Sequence, residues 1–371
     1  MTKKVHSKQA QKNHSFDRSE LRAALAKVAE PTESLLTFEQ VLERARTTKT
    51  KLRILLGNGF SMAYDPERFS FTTLLESAIE SGVIEKDSEI HQVFQQLVTS
   101  DFENVMRALK DAEKIAEVYG SDKSVREKIR TDAEHLKGYL VQIITNNHPE
   151  KSTSLTDTEK RSCLAFIEDF DDIYTLNYDL LLYWATMLDP SITTDGFGDT
   201  EDSLDEGYVV YRNSGSYRVH YLHGALHYYD DGDEIKKRTY THTDIPLVSQ
   251  IRSSLDEGKY PIFVSEGTSS QKMAKIIHNG YLNSCYKSLK NIGGDLVIFG
   301  TTLESNDEHI LSAILNSNVK NIYLGVSSLG KGGDFGLKID EYNKTAPEKK
   351  RKTLHFYDYL TANVWSKKHE K

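Results

Sequence analysis

Asn177 and His223 are the two residues whose chemistry most exceeds what a turn requires. Asn177 lies in Thr175-Leu176-Asn177-Tyr178-Asp179, at the end of a short apolar run. A carboxamide there can donate and accept hydrogen bonds without carrying charge, so it can position a water or a ribose hydroxyl. The plainer reading is a turn asparagine with Asp179 capping the next helix, and for Asp179 alone the cap is favoured. His223 follows Tyr221-Leu222 and precedes Gly224, which suits a general base working near neutral pH with a ligand close by. A lone His-Gly is more commonly a satisfied structural histidine. His227, four residues on, raises the question of a metal pair or an exchanged role, but no acid or cysteine stands at ligand spacing, so no metal is expected.

Two glycine turns flank these groups. In Gly57-Asn58-Gly59-Phe60-Ser61 an apolar run breaks into a candidate nucleotide loop: the glycines admit close approach of a phosphate, and a helix start offers unpaired N–H groups. A strict dinucleotide fingerprint wants a third glycine where Met62 stands, and an acid about 20 positions on at a strand end. Phe299-Gly300-Thr301-Thr302 is a second glycine-hydroxyl strand end, suited to the other half of a nucleotide. Asp307, shortly after it, either contacts a ligand or caps a helix from Glu308, and the cap is at least as good a reading. Ser265 to Ser270 reads most simply as a helix start before Gln271.

The elements that must position these groups are short apolar strands alternating with helices. Strands are expected at 52–56, 172–176, 208–211, 218–222, 261–264, 296–299, 321–324 and 354–357, and helices at 180–188, 271–289 and 308–315. This pattern predicts an α/β fold: a Rossmann-like, mainly parallel sheet covered by helices. Residues 71–170 carry helical spacing, as in Phe102, Val105, Met106 and Leu109, and read as a helical insertion between the first and second strands, packed over the ligand edge. Residues 1–20 read as a mobile N-terminal arm, and 21–371 as one domain that includes the insertion. The glycines at 330, 332, 333 and 336 suggest a mobile loop over 326–350, and 195–207 and 227–244 read as excursions between strands.

The 371-residue chain has a net charge of -8, which argues against a nucleic-acid-binding surface. The lysine-rich N-terminus and Lys349-Lys350-Arg351-Lys352 read as solvated segments. Two distant cysteines, Cys163 and Cys285, exclude a four-cysteine zinc ribbon and read as thiols of a reducing compartment. With no long apolar segment or signal-peptide pattern, a cytoplasmic protein without membrane association is expected.

Taken in order, the glycine turn ending in Ser61, Thr175-x-Asn177-x-Asp179, His223-Gly224 and Gly300-Thr301-Thr302 resemble the sirtuin-like NAD-cleaving domains. Thr-x-Asn-Tyr-Asp, Leu-His-Gly and Asp307-x-x-Ile310 look like the bacterial antiphage-effector branch in particular. The resemblance runs over roughly 50–360. It departs from the family's deacylases in lacking the four-cysteine zinc module, in Asn58 where alanine is common, and in the stretched spacing of the first two motifs.

The resemblance implies an NAD+ hydrolase releasing nicotinamide and ADP-ribose, with NAD+ as substrate and no further cofactor or metal. Asn177 and His223 would be catalytic. Gly57, Asn58, Gly59, Phe60, Ser61, Thr175, Asp179, Gly224, Gly300, Thr301, Thr302 and Asp307 would bind the dinucleotide. It also implies a toxic effector that depletes NAD+ once triggered; because an unregulated NADase would poison its own cell, a gate is expected, in the form of a homo-oligomer or a sensor subunit encoded nearby. The alternatives are a non-catalytic module sensing NAD or ADP-ribose, and, with less support, a deacylase or ADP-ribosyltransferase.

Overall fold

The first strand, β1 (Leu52–Leu56), is buried along its whole length, and it stands at the centre of the main sheet. The computed structural model describes residues 35–189, 194–198, 207–213, 217–240, 243–265 and 268–366. All but Leu35 fall in the compact unit that begins at Leu36. The arm expected over residues 1–20 lies outside the described residues.

Six strands form that sheet: β1, β2 (Asp172–Thr175), β5 (Val219–Tyr221), β8 (Gly293–Phe299), β9 (Asn318–Val326) and β10 (Thr353–Asp358), in the order β10-β9-β8-β1-β2-β5. Every neighbouring pair is parallel. Counted in chain order within the sheet, this is 3-2-1-4-5-6, the Rossmann-like doubly wound arrangement. The chain builds outward from β1 through β2 and β5, then returns to the other side of β1 at β8. The carboxyl ends of β1 and β8 therefore form the switch point where such sheets leave a crevice. Ile54, Leu55 and Leu56 are fully buried, each worth roughly 1.5–3 kcal/mol of apolar burial. The charge interrupting that strand, Arg53, is satisfied at the opposite edge by Asp172 of β2, 2.7 Å away.

The helical insertion is present. After the short helix α2 (Gly59–Tyr64) come α3 (Pro66–Phe69), α4 (Phe71–Glu80), α5 (Glu89–Gln96), α6 (Phe102–Val118), α7 (Lys123–Asn147) and α8 (Asp157–Ile167), all before β2; α1 (Phe38–Thr48) precedes β1. Phe94, Phe102, Val105, Met106, Leu136 and Leu140 form its interior, as the spacing predicts. The two excursions supply a second sheet in place of loops. β3 (Phe197–Gly198), β4 (Tyr208–Tyr211), β7 (Ile235–Arg238) and β6 (Tyr228–Asp230) pair antiparallel. The strand expected at 208–211 thus belongs to this sheet and not to the parallel one.

Three further expectations are corrected. No strand forms over 261–264: its partner is the turn after β5, so only the Phe263–Gly224 bridge pairs, and Pro261 has no N–H to add. The helix expected over 271–289 breaks into α11 (Ser269–His278) and α12 (Gly280–Lys290), because Asn279 turns extended and caps the second helix at Leu282 N–H. The glycine-rich stretch after 326 folds largely into α14 (Gly333–Thr345), which follows α13 (Glu308–Asn316) and β9, because Phe335 and Ile339, four apart, are buried. The remaining helices are α9 (Leu181–Thr186) and α10 (Leu247–Asp256). Both cysteines are free and buried, and no helix among the described residues is long and apolar enough to cross a membrane.

Candidate functional site

A cleft of about 1420 Å³ opens at the carboxyl edge of the parallel sheet, beside the β1/β8 switch point. Of the predicted site residues it brings together Gly57, Asn58, Gly59, Asn177, Asp179, His223, Gly300, Thr301, Thr302 and Asp307. The insertion contributes a wall, through Phe69, Leu74, Glu103 and Ile144 among others, and the C-terminal turn adds Trp365.

Asn177 leaves β2 with its backbone N–H on Thr175 Oγ1 at 3.0 Å. Its two amide protons are both placed: Nδ2 donates to the Gly57 carbonyl and to Ser61 Oγ, each at 3.0 Å. Ser61 is fully buried, and its own hydroxyl donates to Asp179 Oδ2. Asp179 Oδ1 accepts the Leu181 N–H at the start of α9, but the N-cap position is Leu180, so Asp179 supports the helix start from one residue before the cap while its other oxygen serves the site. Burial pushes the Asp179 carboxyl upward, against the hydrogen bonds from Ser61 and Leu181 that favour its ionised form. This chain of donors fixes the flip of the Asn177 amide. Its Oδ1 accepts from no donor among the described residues, so what Asn177 presents to a ligand is an acceptor.

The glycine turns work differently from the expected phosphate cradle. A Cβ on Gly59 would sit 2.4 Å from Gly300 Cα, and one on Gly57 would sit 2.4 Å from Thr301 Cβ. Gly59 N–H is bonded to the Gly300 carbonyl at 2.9 Å, and Gly300 itself has φ +77°. The glycines let the β1 and β8 turns touch across the switch point. With α2 only six residues long and this amide already used, the helix-start argument for an anion falls away. Asn58 Nδ2 donates to Phe69 O at 3.2 Å, tying the loop to the insertion.

Four predicted ligand residues belong to the scaffold and do not line the cleft. Phe60 is buried beneath Trp365, whose Nε1–H donates to the Phe60 carbonyl at 2.9 Å. Ser61 and Thr175 are buried behind Asn177 and hold it. Gly224, at φ +83°, passes so close to the Ile262 carbonyl that a Cβ would lie 2.1 Å from it.

His223 sits at the cleft with 3 % exposure. Burial, then Lys272 and His309, hold its imidazole well below the usual range and therefore neutral. Its Nε2 lies 3.1 Å from Nε2 of His309 and 3.8 Å from Asp307 Oδ1. Asp307 is not a side-chain cap for α13. Its Oδ1 accepts from Lys272 Nζ at 2.9 Å, and the same ammonium donates to Glu103 Oε2 at 2.7 Å. Burial opposes the Lys272 charge, but the two carboxylates outweigh it and push it up to about 12. Burial, reinforced by Asp307, pushes the Glu103 carboxyl up to about 7 despite Lys272. His227 stands apart, buried against Tyr183 and Tyr228, and does not join His223.

Ligand atoms of His223, His309 and Asp307 all lie within 4.8 Å of one another, close enough to converge on a divalent ion. Two features disfavour that use. Lys272 already places a positive charge on Asp307. The imidazole centroids are 5.3 Å apart, close to the widest separation a 3.1 Å nitrogen contact permits, so the two nitrogens face each other head to head.

Sequence reasoning missed Glu103, Lys272, Ser269 and His309. Thr268 and Gln271 form a capping box, and that signal places Ser269 and Lys272 on the first turn of α11. Asp101 likewise caps α6 and sets Glu103 in its first turn. Neither signal says that these turns meet.

A family model described as "Domain of unknown function (DUF4917)" matches residues 54–365. No curated protein matches the chain. Among solved structures, one titled "The Structural basis of Sirtuin Substrate Affinity" is similar at 12% identity and a TM-score of 0.32, over 88% of this chain and 95% of that chain. A TM-score at that level carries no argument.

Proposed function

The chain belongs to the DUF4917 family, and we propose that it binds NAD+ in the switch-point cleft and hydrolyses it to nicotinamide and ADP-ribose. One observation carries the reading. The cleft joins a carboxamide locked as an acceptor, Asn177 Oδ1, with a neutral buried imidazole, His223. Nucleotides characteristically occupy the crevice at this point of a doubly wound sheet. The order of motifs shared with sirtuin-like domains supports the same ligand.

In the proposed reaction the C1′–N bond of the nicotinamide ribose breaks as water oxygen bonds to C1′. The bonding pair returns to the ring nitrogen, so the pyridinium leaves as neutral nicotinamide and needs no general acid. Asn177 Oδ1 accepts one O–H of the water and aims it, and His223 takes the other proton as base. The carboxyl groups of Glu103 and Asp307 share the Lys272 ammonium, which fixes them at the cleft wall close to His223. On this reading the protein is a cytoplasmic effector of bacterial antiphage defence that depletes NAD+ when triggered. A homo-oligomer or a sensor subunit encoded nearby gates it.

A second reading is a non-catalytic module sensing NAD or ADP-ribose. It is favoured by the number of predicted ligand residues, Phe60, Ser61, Thr175 and Gly224, that serve the scaffold. Incubation of the purified protein with NAD+, alone and with the products of neighbouring genes, separates the two by chromatography. Free nicotinamide with linear ADP-ribose supports hydrolysis. Saturable binding with no product under any of these conditions supports the sensor.

A further inference from the structure

The hydrolysis proposed above releases one proton, and the leaving group does not consume it. A base as enclosed as His223 must therefore pass that proton on before it can act again. Its geometry provides a route. Nε2 of His223 faces Nε2 of His309 head to head at 3.1 Å, so one proton lies between two imidazoles and each ring fixes the tautomer of the other. Nδ1 of His309 is 3.1 Å from Ser269 Oγ, and that oxygen also accepts the His309 backbone N–H at 2.7 Å. Ser269 stands on the first turn of α11, fixed by the Thr268–Gln271 capping box.

Resting on the hydrolase reading, we infer that His309 is a positioning residue for His223 and, with Ser269, forms a relay that removes the water's proton. When His223 takes a proton from water at Nδ1, the shared Nε2–H passes to His309, whose Nδ1 proton moves to Ser269 Oγ as that partly exposed hydroxyl releases its own proton to solvent. No atom is gained or lost beyond the one proton that the hydrolysis releases. The groups facing His309 favour transit over storage. Asp307 and Lys272 face it with opposite charge, Tyr286 donates its hydroxyl to the His309 carbonyl at 3.2 Å, and Glu103 stands behind Lys272. Burial holds the His309 imidazole down to about 4, so a proton placed there is readily surrendered. Two of the three groups that could converge on a metal, His223 and His309, are thus assigned to proton transfer.

The test uses the full chain with NAD+ and compares wild type with His309→Gln, Ser269→Ala and His309→Gly. Glutamine preserves a hydrogen bond to His223 but cannot carry a proton. The expected result for His309→Gln is an unchanged KM and melting temperature. Its kcat should fall on the order of a hundredfold, the low end of what proton-transfer assistance supplies, and its pH profile should be displaced. Added imidazole should restore part of the His309→Gly rate. A His309→Gln enzyme with wild-type kcat and pH profile overturns the relay while leaving the hydrolase intact. So does wild-type activity that is abolished by chelation and restored by a divalent ion, which would make the cluster a metal site. The hydrogen bond is read apart from turnover, as a downfield imidazole proton resonance lost in both His223→Gln and His309→Gln. Its absence from wild type overturns the relay. Its presence in a protein that binds but never cleaves NAD+ overturns the hydrolase reading, and the relay with it.

Discussion

Ser61 Oγ accepts a hydrogen bond from Asn177 Nδ2 at 3.0 Å while donating its own to Asp179, and together with the Gly57 carbonyl it decides which face of Asn177 meets a ligand. A serine expected to bind pyrophosphate instead orients an asparagine. Ser61→Ala leaves the Asp179 carboxylate short of a donor and Asn177 held by the Gly57 carbonyl alone. The expected loss is about 1–3 kcal/mol of stability, as for a buried polar group left unpaired, together with reduced turnover at unchanged KM. Chemical denaturation and steady-state kinetics on the same variant read both effects. Unaltered turnover would remove Ser61 from the account of Asn177.

The Lys272 ammonium is 1 % exposed between Glu103 and Asp307, so Lys272→Met would leave two carboxyl groups buried without their cation. Breaking a buried pair by removing one partner costs about 3–5 kcal/mol. Adding Glu103→Gln should recover part of that loss, because one of the two crowded carboxyl groups is removed. Denaturant midpoints of the single and double variants test this, and strict additivity would contradict it.

The touching turns at Gly59 and Gly300 make a steric prediction. Gly300→Ala places a methyl 2.7 Å from Gly59 Cα at a φ of +77°. A destabilisation of about 2 kcal/mol or more is expected from overpacking and left-handed strain together. Bound nucleotide should weaken as well, since the turns frame the cleft. A melting temperature equal to wild type would contradict the packing role.

How the sequence announced these features depended on whether their cause was local. The buried run at β1, the helical spacing of Phe102, Val105, Met106 and Leu109, and the strand-end positions of Asn177 and His223 all follow from patterns a few residues long. The doubly wound sheet was legible from those patterns. The antiparallel sheet was not: β4 was read as a strand but of the parallel sheet, β3 and β6 are two and three residues long, β7 is mostly basic, and their pairing is tertiary. In the site, Glu103 and Lys272 are 169 positions apart, and no spacing rule links them. Gly57 and Gly59 were read as open to a ligand because nothing in their own segment reveals that Gly300 lies against them.

His148 links stability to pH. Its ring is buried against Trp184 and Phe69, Nδ1–H donates to Pro149 O, and Nε2 accepts Leu180 N–H at 3.1 Å. Burial lowers it to about 4. An unfolded imidazole takes its proton near 6.5, so between those values the unfolded chain holds a proton that the folded one lacks. Stability is therefore full above about pH 6.5 and falls as pH drops toward 4, by up to about 3 kcal/mol from this group. Glu103, raised to about 7, acts in the opposite sense, its folded carboxyl keeping a proton that the unfolded one has lost. The His148 contribution is accordingly read as a difference. The wild-type denaturation midpoint should decline more steeply from pH 7 to pH 5 than that of His148→Gln. Parallel pH dependences would contradict it.

The central claim is that Asn177 and His223 cut NAD+ in the cleft they share. Its most direct test is nicotinamide release by wild type, Asn177→Ala and His223→Ala, measured beside NAD+ affinity and with the gating partners present. The account predicts release by wild type, a fall of about a hundredfold or more in either variant, and affinities that stay close to wild type. Release that persists unchanged in both variants, or a wild type that binds NAD+ and releases none, would contradict it.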